Sequence, residues 1–479
     1  MSDLTPRFVA GLFHQQSGTT VHEHVNPSDA REVATRFVAT SAAEVAETVG
    51  AATAAAPGWR ATTGPARADR LYAWGEAIAS RGETLAQLIT REVGKPIGEA
   101  RGEVGRAVVI CRYYAGEAVR ESGEVIPSQA PDALQFTLRD PLGPVALVTP
   151  WNFPLAIPLW KAAPAIAFGN TVLLKPSEYA SGVAHALAET ALAAGLPAGV
   201  FNVLPGDGAT GEALLRHDGV RGISFTGSAA VGARVAAIGA ERNVRAQTEM
   251  GGKNVVIVAA DGDLDRAALL TAAGAMRYAG QKCTATSRVI IDRRVMEPFL
   301  EKLRAAMAAL PLGPATDVAC AIGPMITAAA RDRVLAALAA DPAEVLAGGT
   351  LPDDPAYAHG HWFAPRVVRL AGTEHPLAQR ELFGPVLGLL VADDLEHALT
   401  MANATPYGLS ASLFTRDLGS AMQYLRRIEV GLVRVNGDTT GVDPHAPFGG
   451  LKGSSSGSRE QGRAAREFYT EIRTIQIHA

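Results

Sequence analysis

Apolar residues recur at helical spacing over 42–56, 65–92 and 97–119, so the first third of the chain reads as helix-rich. Over 125–139 the pattern turns polar and extended, which predicts a hairpin. From Val145 the apolar runs shorten and alternate. Strand-like runs at 145–149, 171–174, 200–204 and 222–226 are interleaved with helix-like runs at 155–168, 179–194, 211–217 and 229–239. A second set opens at Asn254, with strands at 255–259 and 287–291 and helices at 264–278 and 296–310. A polar, Pro- and Gly-rich zone at 351–360 predicts a loop, after which 386–391, 395–402, 411–415 and 431–435 alternate again. The tail beyond Gly449 is rich in glycine and serine and closes on a strand-like alternation at 472–477. Repeated βα alternation predicts an α/β fold of parallel sheets flanked by helices, with ligands at the carboxyl ends of strands.

Composition narrows the class. A chain of 479 residues exceeds one ordinary core, so two or three domains are expected. Hydrophobic residues at 48% against charged residues at 19% describe a globular chain. A formal net charge of −4 argues against nucleic acid or an anionic membrane as partner. Cys111, Cys283 and Cys320 are too few and too scattered for a disulfide framework or a zinc site, so no metal is expected and a reducing, cytoplasmic setting fits. The start, with Asp3 and no apolar run, predicts no signal peptide. The stretch 141–160 lacks charge, but Pro141, Pro144, Pro150, Pro154 and Pro158 rule out a spanning helix.

Within this frame a few residues carry chemistry. Cys283, in Gly280-Gln281-Lys282-Cys283-Thr284, stands at a glycine-marked turn between a helix and a strand. Its thiolate suits acyl transfer; the competing reading is a buried, inert cysteine. Glu249, beside Gly251 and Gly252, is a candidate general base, or a loop ion pair. The Asn152 amide suits a developing oxyanion, or simply a turn before Pro154. Two turns compete for a diphosphate. One is GDGATG at 206–211, which matches the dinucleotide fingerprint; the other is FTGS at 225–228, where a strand also opens into a helix. Local logic does not choose between them. Lys175, Ser177 and Glu178, at the end of another strand, suit ribose hydroxyls or an exposed helix start.

Taken together these motifs resemble the aldehyde dehydrogenase superfamily: TPWNFP at 149–154, KPSE at 175–178, FTGS at 225–228, EMGGKN at 249–254, GQKC at 280–283, ELFGPV at 381–386 and APFGGLKGS at 446–454. The resemblance implies a Rossmann-like cofactor domain (1–122 and 142–250), an α/β catalytic domain (251–445) and a small β oligomerisation extension (123–141 and 446–479), assembled as a homo-oligomeric dimer or tetramer. It implies Cys283 as nucleophile, Asn152 as oxyanion donor, Glu249 as base, and Lys161 with Glu460 as a proton-relay pair. It puts the diphosphate at Gly227 and Ser228 and leaves Gly208 near the adenine. Further cofactor contacts are implied for Thr149, Pro150, Trp151, Asn152, Lys175, Ser177, Glu178, Phe225, Val231, Met250 and Gly251. Glu381 is implied as a ligand of the nicotinamide ribose, with Phe383 beside the ring. Phe153, Trp160 and Phe448 resemble the aromatic walls of the substrate tunnel, and Lys282 and Thr284, flanking the sulfur, are expected to touch substrate.

Longer stretches, including GEVGRAVVICRYYAGEA at 102–118, GLVRVN at 431–436 and KGSSSGSREQGRAAREFYT at 452–470, are similar to α-ketoglutarate semialdehyde (2,5-dioxopentanoate) dehydrogenases. That implies an acidic semialdehyde, with Arg106 placed to clamp its distal carboxylate. Relatives acting on succinate semialdehyde, betaine aldehyde or aromatic aldehydes share the core motifs and are the alternative. A carboxylate at 249 fits hydrolysis to the free acid, since branches that acylate coenzyme A lack it. Glu178 favours NAD, with NADP as the alternative. A thiol hydrolase without cofactor would leave Lys175, Gly227, Ser228 and Glu381 unused.

Overall fold

The computed structural model describes residues 4–120 and 123–478. Asp3, the expected boundary at residue 122 and the terminal Ala479 lie outside the described residues. Four strands, Arg7–Val9, Leu12–His14, Val21–Asn26 and Asp29–Val38, precede the first helix, so the helix-rich reading holds only from Ala42. Their irregular exposure blurs the two-residue alternation that marks a strand. The helix Ala42–Ala61 starts at a capping box. Ser41 accepts the Glu44 N–H while the Glu44 carboxylate accepts the Ser41 N–H. The single helix expected over 65–92 is two, Gly64–Ser80 and Gly82–Val93, broken at Arg81. The break lets the second helix bury its own stripe of Leu85, Ala86, Ile89 and Val93.

The first sheet sets Phe201–Val203, Thr171–Lys175, Pro144–Val148, Gly222–Thr226 and Arg245–Glu249 side by side and parallel. Strand order reverses between Pro144–Val148 and Gly222–Thr226. Connections leave these two strands in opposite directions, so a crevice opens outside their carboxyl ends. The second sheet runs Arg366–Arg369, Val386–Ala392, Arg288–Asp292, Val255–Val258, Ser410–Phe414 and Leu432–Val435, all parallel, with Glu344–Gly348 antiparallel at one edge. Its central strands are buried throughout, as their unbroken Val/Ile/Leu runs require. The edge strand Glu344–Gly348 and the helix Ala328–Ala340 stand outside the predicted elements, because they bury too little to leave an apolar pattern.

The charge-free stretch resolves into the strand Pro144–Val148, a turn, and the wholly buried helix Ala156–Ala167. Among the described residues no helix is long and apolar enough to cross a membrane. The hairpin expected over 125–139 is short, Val125–Ile126 against Ala133–Pro141. The longer partner of Ala133–Pro141 is the tail strand Thr470–His478, paired along its whole length. The tail also adds Ser455–Ser456 to the edge of the first sheet, beside Thr248 and Glu249.

Candidate active site

Helix Leu264–Met276 ends two residues before its expected limit, and Tyr278, Ala279 and Gly280 then take left-handed conformations in succession. Glycine is required at 280, because a Cβ there would lie 2.6 Å from the Gly384 carbonyl. This tight reversal delivers Cys283 to the cleft. Buried Gln281 pins the reversal by donating to the Tyr278 and Pro324 carbonyls and accepting from the Ile326 N–H at 2.9 Å. On the far side the Asn254 amide donates to the carbonyls of Cys283 and Ala285, both at 2.8 Å. The Asn152 amide donates to the Gln281 carbonyl at 3.0 Å. Asn152, Cys283, Met250, Gly251, Glu381 and Phe383 line one cavity of about 420 Å3. Cys283 is half-buried, whereas Cys111 and Cys320 are buried. Its low-dielectric seat and the Glu381 and Glu249 carboxylates push its thiol up to about 12, against the N–H groups of Thr284 and of Cys283 itself.

Glu249 ends the strand Arg245–Glu249 and is 1% exposed. Burial, then the charge of Glu460, holds its carboxyl well above the usual range; Ser455, Lys161 and Arg459 act the other way. Its Oε2 accepts from Ser455 Oγ at 2.5 Å, while Oε1 has no hydrogen-bond partner among the described residues. Behind it Lys161 is ion-paired to Glu460 and donates to Ser224 Oγ at 2.8 Å, and Ser224 Oγ donates to Glu460 at 3.0 Å. The carboxylate is thus parked against Ser455, off the cavity wall, with a buried ionic network at its back.

A second cavity of about 480 Å3 is lined by Thr149, Pro150, Trp151, Lys175, Ser177, Glu178, Gly208, Phe225, Gly227, Ser228 and Val231. It shares Pro150, Trp151, Thr226, Gly227 and Ser228 with the thiol cavity, so the two are continuous. The two competing turns differ here. Helix Gly208–Arg216 is closed by its own N-cap, the Asp207 carboxylate accepting from Ala209 and Thr210 N–H. Helix Ala229–Glu241 starts at Ser228 with no side-chain cap, leaving first-turn N–H groups free at the cavity. Glu381 accepts the Gly252 N–H at 3.1 Å, and burial raises its carboxyl to about 7. Trp151 and Phe383 meet edge to face at 5.6 Å. An elongated cavity with an open helix N-terminus, a buried lysine and a carboxylate fits a nicotinamide dinucleotide.

The family comparison agrees with this geometry: the aldehyde dehydrogenase family profile matches residues 13–475. The chain belongs to the aldehyde dehydrogenase family. It is 42% identical over 466 residues to the alpha-ketoglutaric semialdehyde dehydrogenase of Bacillus subtilis (strain 168), covering 96% of this chain and 95% of that one. A putative aldehyde dehydrogenase from Burkholderia cenocepacia matches with a TM-score of 0.96 at 36% identity, over 99% of this chain and 98% of that one. An NAD-dependent aldehyde dehydrogenase from Sinorhizobium meliloti matches with a TM-score of 0.95 at 35% identity, over 99% and 94% of the two chains. The fold is that of an aldehyde dehydrogenase, and the chain is an oxidoreductase that oxidises an aldehyde to its acid.

In this aldehyde dehydrogenase the wall around the sulfur is apolar. Leu409, Leu432 and Phe448 pack with Cys283 and Val442. Phe448 lies 5.5 Å from Trp160, as expected of a shared wall. Phe153 lies under Lys95, 3.7 Å from its ammonium. Lys95 is ion-paired to Glu103, whose other oxygen accepts the Leu155 and Ala156 N–H groups and so starts the helix that follows Asn152. Two expected substrate contacts are not brought to the cleft. The Lys282 ammonium is taken up by Glu99 at 2.8 Å, and Thr284 is buried, its carbonyl accepting from Thr439. Arg106 donates to the Val442 carbonyl and to Gln461 at the mouth of the wall. Gln281, Asn254, Ser224 and Ser455 were missed, since each acts on a partner remote in sequence.

Proposed function

We propose that this enzyme oxidises 2,5-dioxopentanoate to 2-oxopentanedioate with NAD, using Cys283 as nucleophile. The observation that carries the reading is the continuity of the thiol cavity with a dinucleotide-shaped cavity at the open N-terminus of helix Ala229–Glu241. The Cys283 thiol gives up its proton to solvent as its sulfur attacks the aldehyde carbon, and the Asn152 amide with the Cys283 N–H holds the oxygen as it gains charge. Thr149, Pro150, Trp151, Lys175, Ser177, Glu178, Phe225, Gly227, Ser228, Val231, Met250, Gly251 and Glu381 hold the cofactor, with Gly208 near its adenine and Phe383 near its ring. Bound there, the nicotinamide supplies the hydride acceptor. Glu249 leaves Ser455, takes a proton from water, and that water cleaves the thioester to the free acid. The Glu460 carboxylate, held by the Lys161 ammonium, receives the proton from Glu249.

Glu178 lines the nucleotide cavity with its carboxylate partly exposed, which favours a ribose diol over a 2′-phosphate. The semialdehyde assignment is supported by the name of the Bacillus subtilis relative and by Arg106 near the sulfur. The division into a cofactor domain (1–122 and 142–250), a catalytic domain (251–445) and an oligomerisation extension (123–141 and 446–479) is supported by the two large sheets and by a separate arm, the small sheet of Val125–Ile126, Ala133–Pro141 and Thr470–His478. The arm carries exposed Leu134, Ile472 and Ile477, suited to a homo-oligomer in a reducing cytoplasm. The test is a panel of 2,5-dioxopentanoate, succinate semialdehyde, betaine aldehyde and benzaldehyde crossed with NAD and NADP, read as absorbance of reduced nucleotide. The highest kcat/KM is expected for 2,5-dioxopentanoate with NAD. A higher value for a neutral or cationic aldehyde contradicts the reading.

A further inference from the structure

Beside the sulfur a solvent-open cavity of about 650 Å3 is lined by Arg106, Leu432, Arg434, Thr440, Val442 and Asp443, among others. Leu432 and Val442 belong both to this wall and to the apolar cluster that packs Cys283, so these two side chains stand between the cavity and the reacting atom. Its two cations come from different elements. Arg106 lies on helix Ile97–Glu117, and Arg434 on strand Leu432–Val435 at the edge of the second sheet. They grip neighbouring carbonyls of one loop: Arg434 Nη2 donates to Gly441 and Arg106 Nη2 to Val442. Those bonds use few of the five N–H groups that each guanidinium carries. Among the described residues Arg106 Nε has no hydrogen-bond partner, and Arg434 is ion-paired only loosely, to Asp438 at 3.9 Å. Asp443 is the only acidic side chain in the cavity wall among the described residues, against two arginines.

We propose that Arg434 and Arg106 form one subsite for the distal 2-oxo acid group of the substrate, with Arg434 as a specificity-determining residue. The inference rests on the acidic-semialdehyde reading above and deepens it. A carboxylate with a ketone beside it presents acceptors along one edge. Two planar guanidiniums reaching one cavity from separate elements offer that edge more donors than a single clamp. The carbonyl bonds set the guanidiniums' positions while the apolar wall of Leu432 and Val442 passes the carbon chain toward Cys283.

The test compares Arg434→Met and Arg434→Lys with the unaltered enzyme on 2,5-dioxopentanoate and on pentanal, its uncharged counterpart of equal length. Inhibition by the product 2-oxopentanedioate is measured alongside. Arg434→Met is expected to raise KM for the acid about 10- to 100-fold and weaken product inhibition in parallel, with kcat nearly unchanged and pentanal kinetics unaltered. Arg434→Lys is expected to recover part of the loss and to restore salt dependence. An equal change for both aldehydes makes Arg434 a holder of the 438–443 loop and overturns the inference. So does a Met variant with undiminished preference for the acid, which leaves the acidic-semialdehyde reading standing. An unaltered enzyme without preference for the acid over pentanal overturns both. Product inhibition reads the subsite even if a variant turns over too slowly for KM.

Discussion

The turn at 206–211 and the turn at 225–228 both lead from a parallel strand into a helix, and both are rich in small residues. They differ in two physical respects. The first helix is capped by Asp207, whose carboxylate consumes N–H groups and places a negative charge where a diphosphate would go. The second is uncapped at Ser228 and follows one of the two strands flanking the reversal of strand order, where an open sheet makes its crevice. The lesson is that a fingerprint records the flexibility of a turn. Whether its helix is free to bind an anion depends on the cap and on the place in the sheet.

Moving the cap breaks the comparison most severely. Ser228→Asp should close the open N-terminus and repel the diphosphate, raising the NAD KM about 100-fold while the melting temperature holds or rises. Nucleotide titration by fluorescence checks this. Gly251→Ala sharpens the same side of the cleft. An added Cβ would collide with Glu381, which accepts the Gly252 N–H, so the NAD KM should rise about 10-fold with the fold intact. The reciprocal change at the first turn should be mild. Asp207→Ala should cost ~1 kcal/mol in denaturant unfolding and shift the NAD KM less than about 2-fold.

pH separates the thiol side from the nucleotide side. The Cys283 thiol is pushed up to about 12, so its alkylation by iodoacetamide in nucleotide-free enzyme should keep rising with pH across the range where the fold survives. Glu249 has its carboxyl raised, and a base must first lose its proton. Deacylation should therefore speed up as pH rises through the raised value, and Glu249→Gln should lose both the rate and that slope.

Much of this site was legible before any fold was known. Cys283, Glu249 and Asn152 stand in short, distinctive motifs, and the strand before Asn152 is an unbroken apolar run, whereas Arg245–Glu249 is polar. The helix ends were less so. Gly280 was visible as a glycine, but its left-handed run with Tyr278 and Ala279 was hidden in a pattern that continued helical. Ser455 reaches Glu249 only because the tail pairs antiparallel with Arg245–Glu249, and Arg434 shares a cavity wall with Arg106 only because strand Leu432–Val435 and helix Ile97–Glu117, remote in sequence, border the same space. Lys282 shows the opposite failure: adjacency to the nucleophile suggested substrate contact, and the turn sent its ammonium to Glu99.

The central claim is that carbon passes through Cys283 under control of a nucleotide seated at Ser228. Glu249→Gln enzyme mixed with 2,5-dioxopentanoate and NAD, quenched in acid and digested, tests it directly by mass spectrometry of the peptide that carries Cys283. The account predicts an acyl thioester on Cys283 that forms only with NAD and is lost when Ser228→Asp is added. An acyl group on another residue, or the same thioester formed without nucleotide, would contradict it.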